Sequence, residues 1–175
     1  MGLAMKQPRP AQAKPGAPSK PRESAGRKPV ELKLFDFTGV YSAAPIERIE
    51  WIRHGLDAVQ VIKLAARLHT SQDQLMKLLG LPRATIVRKS KARQKLSTEQ
   101  SERVIGLSKL IGQVQTMVEQ SGNPAGFDAA HWVAQWLELP NAALGGRKPA
   151  ELMDTVAGQD LVSSILAKLQ SGAYA

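Results

Sequence analysis

Apolar side chains recur every three or four positions from Pro45 onward, which is the spacing of an amphipathic helix. The segment PIERIEWIRHG (45–55) begins with proline, which favours the first helical turn, and ends with glycine, a common helix stop. The next segment, LDAVQVIKLAARLH (56–69), has a similar spacing. The predicted face of the first helix is Ile46, Ile49 and either Ile52 or Arg53. That of the second is Leu56, Val59, either Ile62 or Lys63, and Ala66.

A capping box predicts the start of the next helix. The Ser71 hydroxyl is placed to accept from the third helical amide, and the Gln74 side chain can reach back to the backbone of Ser71. Gly80 ends this short helix, and another short helix is predicted to start at Pro82 or Arg83. The apolar face of the first of these two helices is Leu75, Leu78 and Leu79.

A second capping box, Ser97 with Gln100, opens a long helix that is predicted to end near Gln120. Its apolar positions recur at alternating spacings of three and four, as in a heptad seam. The seam consists of Val104, Leu107, Ile111, Val114 and Val118. Since fewer than four heptads are present, two interpretations stay open: a dimer contact, or a long helix that packs on its own core.

The segment SGNPAGFD (121–128) interrupts the helical pattern, and short helices follow it. Asp128 is the predicted cap of the first, the second is predicted from Pro149 to Gly158, and the last ends at Gly172. The first has an apolar stripe of Trp132, Val133, Trp136 and Leu137. The inward positions of the last are Leu161, Val162, Ile165, Leu166 and Leu169.

Only VELKLFDF (30–37) alternates apolar and polar positions as a strand does. One strand makes no sheet within a monomer, so an extended docking segment is the alternative. The predicted fold is therefore all-α, in three parts: a disordered basic tail (1–33), a helix-turn-helix and dimerisation domain (34–120), and a small helical domain (121–175).

The composition narrows the class of protein. The chain has 175 residues, no cysteine and a net charge of +9, so disulfides, thiolate metal sites and a cysteine nucleophile are excluded. No apolar run reaches the length of a membrane span, and the N-terminus lacks the apolar core of a secretory signal, so we expect a cytoplasmic protein.

The charge is unevenly distributed along the chain. Residues 1–33 hold eight basic and two acidic side chains together with six prolines, which favours disorder. This tail is either an arm that tracks DNA or a solubilising extension. Residues 34–120 hold thirteen basic and eight acidic side chains, whereas residues 121–175 hold three and five. The first two parts suit nucleic acid, and the last suits a different partner.

Residues 56–96 have the order of a helix-turn-helix: a helix, a short helix, a turn with glycine and a second short helix. Six basic residues and no acid lie from Arg83 to Lys95, where the recognition helix is expected. An exposed basic face without a ligand is the alternative. The candidate DNA-binding residues are Arg83, Thr85, Arg88, Lys89, Lys91 and Arg93.

No catalytic or metal-binding motif accompanies these helices. The three histidines, His54, His69 and His131, lack partners at metal-ligand spacing, and no nucleophile elbow, Walker loop or dinucleotide fingerprint occurs. The LGGRKP segment follows no strand, so Gly145 and Gly146 are interpreted as a chain reversal rather than a phosphate loop. We therefore predict a protein that is not an enzyme and has no cofactor or metal.

The segment from Trp136 to the end of the chain contains a set of tryptophan, proline, glycine and apolar positions. They are Trp136 and Leu137, Pro140 and Asn141, Leu144 to Gly146, Pro149 and Leu152, Gly158, Val162 and Leu166, and Gly172 with Tyr174. On these positions, residues 136–175 resemble the C-terminal domain of Xre/MbcA/ParS-type antitoxins, and the preceding helix-turn-helix resembles the Xre-like domain of the same family. The basic tail is not part of this pattern.

This resemblance implies an antitoxin of a type II toxin-antitoxin system. Such a protein binds a toxin encoded beside it, typically a RES-domain enzyme that consumes NAD, and its C-terminal end covers the toxin's active-site entrance. It also binds its own operator as a dimer and joins hetero-oligomers with the toxin. The alternative is a stand-alone repressor whose C-terminal domain only oligomerises. The toxin-binding residues implied are Trp136, Leu144, Gly145, Gly146, Arg147, Leu152, Gly172, Ala173, Tyr174 and Ala175.

Overall fold

A computed structural model describes residues 32–122 and 124–170, and its described residues form helices and connecting turns without a named strand. The all-α prediction is confirmed. Two short 3-10 helices, Ala142–Leu144 and Pro149–Leu152, lie between the last two α-helices. The α-helices are α1 (Phe37–Ser42), α2 (Pro45–His54), α3 (Val59–Arg67), α4 (Gln72–Leu78), α5 (Arg83–Lys91), α6 (Thr98–Gln120), α7 (Ala129–Leu137) and α8 (Val156–Gln170).

The central element is α6, which contacts α1, α2, α7 and α8. It buries side chains around most of its circumference, including Ile105 and Leu110 beside the predicted seam. The seam residues Val104, Leu107, Ile111 and Val114 are themselves buried, and Val118 is half-buried. These side chains pack on the protein's own core, so the dimer interpretation of the seam is wrong.

The predicted caps are confirmed. Ser71 accepts from the amide of Gln74 at 3.1 Å, and Ser97 accepts from that of Gln100 at 3.3 Å. Asp128 accepts from the amide of His131 at 3.0 Å and opens α7. Polar side chains at these positions satisfy backbone donors that have no partner within the helix, which is why the helix starts could be predicted.

The strand predicted at 30–37 is not formed by its described residues. Leu34 and Phe35 lie in a turn, and α1 begins at Phe37 because the Asp36 carboxylate accepts from the amide of Gly39 at 3.0 Å. Leu34 is buried in the core, so the apolar positions of this segment anchor a turn. Val30 and Glu31 lie outside the described residues, as does most of the predicted tail.

Two predicted helix faces were only partly right: Leu56 is buried and Ile62 packs against the core as predicted, but other members of both faces are exposed. In α2, Ile46 and Ile49 are 57% and 40% exposed, and only Ile52 of the predicted face packs against the core. In the next helix a second apolar set, Val61, Leu64, Ala65 and Leu68, is buried instead, whereas Val59 and Ala66 are exposed. Both sets have helical spacing, and α3 turns the second set toward α4 and α5, which it contacts.

The last predicted helices were divided at the wrong place. Gly158 is not a stop; it lies in the first turn of α8, which begins at Val156. A Cβ atom at Gly158 would lie 1.9 Å from the carbonyl oxygen of Leu152, so this close backbone approach requires glycine. Leu161 and Leu169 are 48% and 44% exposed, contrary to the predicted inward face, while the remaining predicted residues, Val162, Ile165 and Leu166, are buried.

None of the helices in residues 32–122 and 124–170 combines the length and the apolarity needed to cross a bilayer.

Candidate DNA-binding and partner-binding surfaces

The α4–α5 turn sets the direction in which α5 projects. Gly80 ends α4 with a φ of +57°, and the amide of Leu81 donates to the carbonyl of Met76 at 2.7 Å. Pro82 then caps α5, which anchors itself through one fully buried side chain, Ile86. A helix held by a single inward residue presents the rest of its circumference outward.

The outward side of α5 carries small and basic side chains. Ala84, Arg88 and Lys91 are exposed and lie at spacings of four and three, so they share the face opposite Ile86. Val87 is half-buried at the edge of this face. We call Ala84, Val87, Arg88 and Lys91 the α5 surface.

The other predicted DNA-binding residues have different surroundings. Arg83 forms an ion pair with Asp73 across the turn, with Nε 2.6 Å from Oδ1. Lys89 points toward α6, where its ammonium donates to Oε1 of Gln100 at 3.3 Å. Thr85 is half-buried, and Arg93 is exposed in the turn that follows the helix. The predicted basic residues therefore fall into two groups. Arg88, Lys91 and Arg93 are exposed, whereas Arg83 and Lys89 contact other side chains of the protein.

A second surface lies on α7. The rings of Trp132 and Trp136 are stacked, with centroids 5.9 Å apart and an interplanar angle of 10°. Phe127 lies 6.3 Å from the ring of Trp132. Trp132 is 36% exposed and Trp136 is half-buried, so the aromatic stack reaches the protein surface. We call Phe127, Trp132 and Trp136 the α7 surface.

The glycine turn, residues 141–147, closes on itself. The amide of Gly146 donates to the carbonyl of Asn141 at 2.9 Å, and the amide of Asn141 donates to the carbonyl of Arg147 at 3.0 Å. Gly145 and Gly146 have φ values of +65° and +85°, which favour glycine. The interpretation of these glycines as a chain reversal is confirmed.

Both basic residues beside this turn are paired with glutamates. Arg147 Nε lies 3.0 Å from Glu151, and Lys148 Nζ lies 3.1 Å from Glu138. The Arg147 hydrogen bond, followed by one from the Lys148 amide, lowers the pKa of Glu151 below its ordinary value. Each of these cations already has an acidic partner, which disfavours a phosphate site. Leu144 and Leu152 are half-buried at the two sides of the turn.

Arg103 of α6 connects the two halves of the molecule. Its guanidinium donates to the carbonyls of Leu79 at 3.2 Å and Gly80 at 2.9 Å, which belong to the α4–α5 turn. Its own carbonyl accepts from the buried Gln159 side chain of α8 at 3.1 Å, which also donates to Met153 at 2.9 Å. No spacing rule marks these residues, and the sequence analysis missed them.

Two of the three histidines lie close together, which their spacing in the sequence did not indicate. The rings of His69 and His131 lie 4.8 Å apart, and His69 Nε2 lies 3.9 Å from the Asp128 carboxylate. Within the part of the chain that the structure describes, no group of three or more His, Cys, Asp or Glu residues could hold a metal ion.

The predicted residues Gly172, Ala173, Tyr174 and Ala175 lie outside the described residues. Of the other predicted toxin-binding residues, the structure brings Leu144, Gly145, Gly146 and Arg147 together in one turn. Trp136 belongs to the α7 surface, and Leu152 lies where the second 3-10 helix ends. Trp132, which was predicted only as part of an apolar stripe, is the more exposed tryptophan of the stacked pair.

Comparison with known proteins assigns a family to each of the two regions. Residues 47–109 match the antitoxin Xre-like helix-turn-helix domain, and residues 125–172 match the antitoxin Xre/MbcA/ParS C-terminal toxin-binding domain. The chain is 46% identical over 141 residues to the Prs ADP-ribosylating antitoxin of Sphingobium sp. (strain YBL2), an alignment that covers 81% of this chain and 89% of the relative. The family is toxin-binding and not catalytic. The helix α5 lies in the first match, and α7 and the glycine turn lie in the second. The two domain matches and the 46% identity to this relative over 81% of the chain show that the chain belongs to the Xre/MbcA/ParS antitoxins.

Proposed function

We propose that this chain binds and neutralises a RES-domain toxin encoded beside it, by covering the toxin's active site, and represses its own operon as a DNA-bound homodimer. We place its action in the cytoplasm. We divide the chain into three parts: the tail at 1–33, the DNA-binding and dimerisation domain at 34–120, and the toxin-binding domain at 121–175. The observation that carries the proposal is the presence of two chemically different exposed surfaces, one in each matched domain.

The α7 surface supports the toxin-binding part. Stacked tryptophans at a protein surface are typical of interface hot spots, because each ring buries a large area with little loss of side-chain entropy. The surface lies within the residues that match the toxin-binding domain. The glycine turn adds a rigid element to the same domain, and we propose that both contact the toxin.

The relative's name supports a toxin that uses NAD. It joins ADP-ribosylation to an antitoxin, and enzymes that transfer ADP-ribose take it from NAD. A RES-domain toxin that consumes NAD has the same substrate. We therefore propose that the toxin neutralised by this chain depletes NAD, transfers ADP-ribose to a protein, or does both.

The α5 surface supports the DNA-binding part. Its exposed arginine and lysine suit the phosphates and guanine edges of the major groove. As a homodimer, the protein would place two copies of α5 in successive major grooves, and its operator would carry two half-sites about 10 base pairs apart, centre to centre. The contact between copies is expected outside the α6 seam, which lies in the core.

Co-expression with the neighbouring toxin tests the neutralisation. Cells that express the toxin alone should lose NAD and stop growing, and the full chain should restore both. A variant lacking Gly172 to Ala175 should fold, as measured by circular dichroism, and bind the promoter normally, yet fail to protect. Labelling a lysate with biotinylated NAD would show whether the toxin transfers ADP-ribose.

Each outcome bears on a different part of the proposal. Full protection by the folded truncation would show that the C-terminal end does not cover the toxin's site. No protection by the full chain would contradict the choice of toxin. Failure to bind the promoter in gel shifts, or a monomeric mass on the operator by light scattering, would contradict autorepression as a dimer.

A further inference from the structure

The α5 surface has a mixed chemistry that a purely phosphate-binding face does not need. Two of its four side chains, Ala84 and Val87, are apolar, and they lie on the same side of the helix as Arg88 and Lys91. Together with Arg83 and Ala92, these four residues line a shallow, open depression along α5. The part of the helix that would face a partner is thus a small apolar patch bordered by cations.

Two other basic residues of α5 already contact side chains of the protein itself. Arg83 is held by Asp73, and Lys89 donates to Gln100. Arg88 and Lys91 form no ion pair with any residue in the described ranges, 32–122 and 124–170. A DNA partner would therefore meet two available cations and two apolar side chains at the centre of the contact.

Duplex DNA offers one apolar group at the floor of its major groove, the C5 methyl of thymine. Side chains such as alanine contact this methyl group, whereas an arginine pairs with the O6 and N7 atoms of guanine. Cβ atoms three or four residues apart on a helix are about 5–6 Å apart, which spans one to two base-pair steps.

We propose that Ala84 and Val87 read thymine methyl groups, so that each operator half-site holds a thymine within about two base pairs of the guanine that Arg88 contacts. This inference rests on the proposed DNA binding and adds its sequence preference. Lys91 contributes attraction to phosphate without sequence information. Specificity at the thymine comes from an apolar contact and therefore depends little on salt.

The test uses the full-length protein and duplexes selected from a random library. Each thymine of the selected sequence is replaced in turn by uracil, which removes only the methyl group. At the contacted thymine, wild-type affinity should fall about fourfold, the effect of exposing one methyl-sized group to water (about 0.8 kcal/mol). Val87→Ala or Ala84→Gly should weaken binding to the thymine duplex and lose most of this discrimination.

Matched controls separate the apolar contact from loss of folding. Val156→Ala makes the same substitution at an exposed valine of α8 and should keep the full uracil effect. Arg88→Ala should lose the guanine preference but keep the thymine preference. Two variants at different depths, the exposed Ala84 and the half-buried Val87, keep the test open if one variant unfolds.

The outcomes distinguish this inference from the proposed function. A selected sequence that tolerates uracil at every thymine would overturn the methyl contact and leave specific DNA binding in place. If the protein binds duplexes but selects no sequence from the library, both this inference and the proposed specific operator are overturned. The absence of binding to any duplex would overturn the DNA-binding function as a whole.

Discussion

The α5 surface and the glycine turn use their basic side chains in opposite ways. Arg88 and Lys91 of the α5 surface have no ion-pair partner in the described part of the chain, and neither has Arg93 just after the helix. By contrast Arg147, which ends the glycine turn, and Lys148, which follows it, each lie about 3 Å from a glutamate. Unpaired cations keep their attraction for a polyanion, and paired cations largely do not. The same residue types therefore point to different partners, and the local carboxylates decide which.

The α5 surface and the α7 surface also differ in their aromatic side chains. The α5 surface has no aromatic side chain, whereas the α7 surface consists of three. Binding at α5 should depend steeply on salt, and binding at α7 should depend on buried area and shape. This contrast predicts that variants on the two surfaces separate the two activities.

The largest effect is expected when the unpaired cations are removed. Arg88→Ala, Lys91→Ala and Arg93→Ala together should lower DNA affinity about a hundredfold near physiological salt. The salt slope should fall by about two, since the phosphate contacts of Lys91 and Arg93 contribute about one each, whereas Arg88→Ala removes a guanine contact. Gel shifts at two salt concentrations measure both quantities.

The control for this change is Arg147→Ala with Lys148→Ala, which removes paired cations and should leave DNA affinity nearly unchanged. Equal losses in both variants would mean that net charge alone, and not the placement of α5, determines DNA binding.

The second largest effect is expected at the stacked tryptophans. Trp132→Ala should weaken toxin binding by about thirtyfold, roughly 2 kcal/mol, because a hot-spot ring is lost from the interface. DNA affinity should not change. Calorimetric titration of the toxin measures the first effect. Ile46→Ala, at a 57% exposed residue outside the toxin-binding match, is the matched control and should bind toxin normally.

A smaller effect is expected at the connection between the two regions. Arg103→Met removes two charge-assisted hydrogen bonds to the α4–α5 turn and should lower the free energy of unfolding by about 1–2 kcal/mol. DNA affinity should fall modestly because α5 is held less firmly, while toxin affinity stays nearly constant. Urea unfolding and gel shifts measure these changes. Lys109→Met on the same helix is the control, and an equal loss there would contradict the role of the turn carbonyls.

The smallest effect is expected at Glu151. Its lowered pKa means that the charged carboxylate stabilises the fold above the ordinary carboxyl pKa, and that this contribution is lost as the pH falls through the lowered value. Glu151→Gln should therefore reduce the Tm slightly at neutral pH and not at all in strong acid. A constant difference in Tm across this range would show that the ion pair is not its origin.

Sequence patterns predicted the elements whose causes are local. Ser71, Ser97 and Asp128 cap helices through amides only three residues away, and Gly145 and Gly146 reverse the chain through their own φ values. These features need no distant partner, so spacing and residue type suffice to find them. The same holds for the acid-free basic run of α5, whose placement in a helix-turn-helix follows from the order of short helices.

The choice of buried face was not local. The segment at 56–69 contains two apolar sets at helical spacing, and packing on α4 and α5 selects Val61 and Leu64 over Val59 and Ala66. Likewise the long helix could have formed a dimer, and the surrounding helices bury its seam in the monomer. Period alone cannot distinguish such alternatives, because each satisfies the same spacing.

By itself, the sequence determined that the chain is helical, where most helices begin, that its basic and aromatic residues lie in different segments, and which family it resembles. Tertiary structure alone decided which cations remain unpaired, that Trp132 stacks on Trp136 at the surface, and that Arg103 joins the α4–α5 turn to α8. The reason is physical: caps and turns are satisfied within a few residues, whereas exposure, pairing and burial depend on which distant segments are brought together.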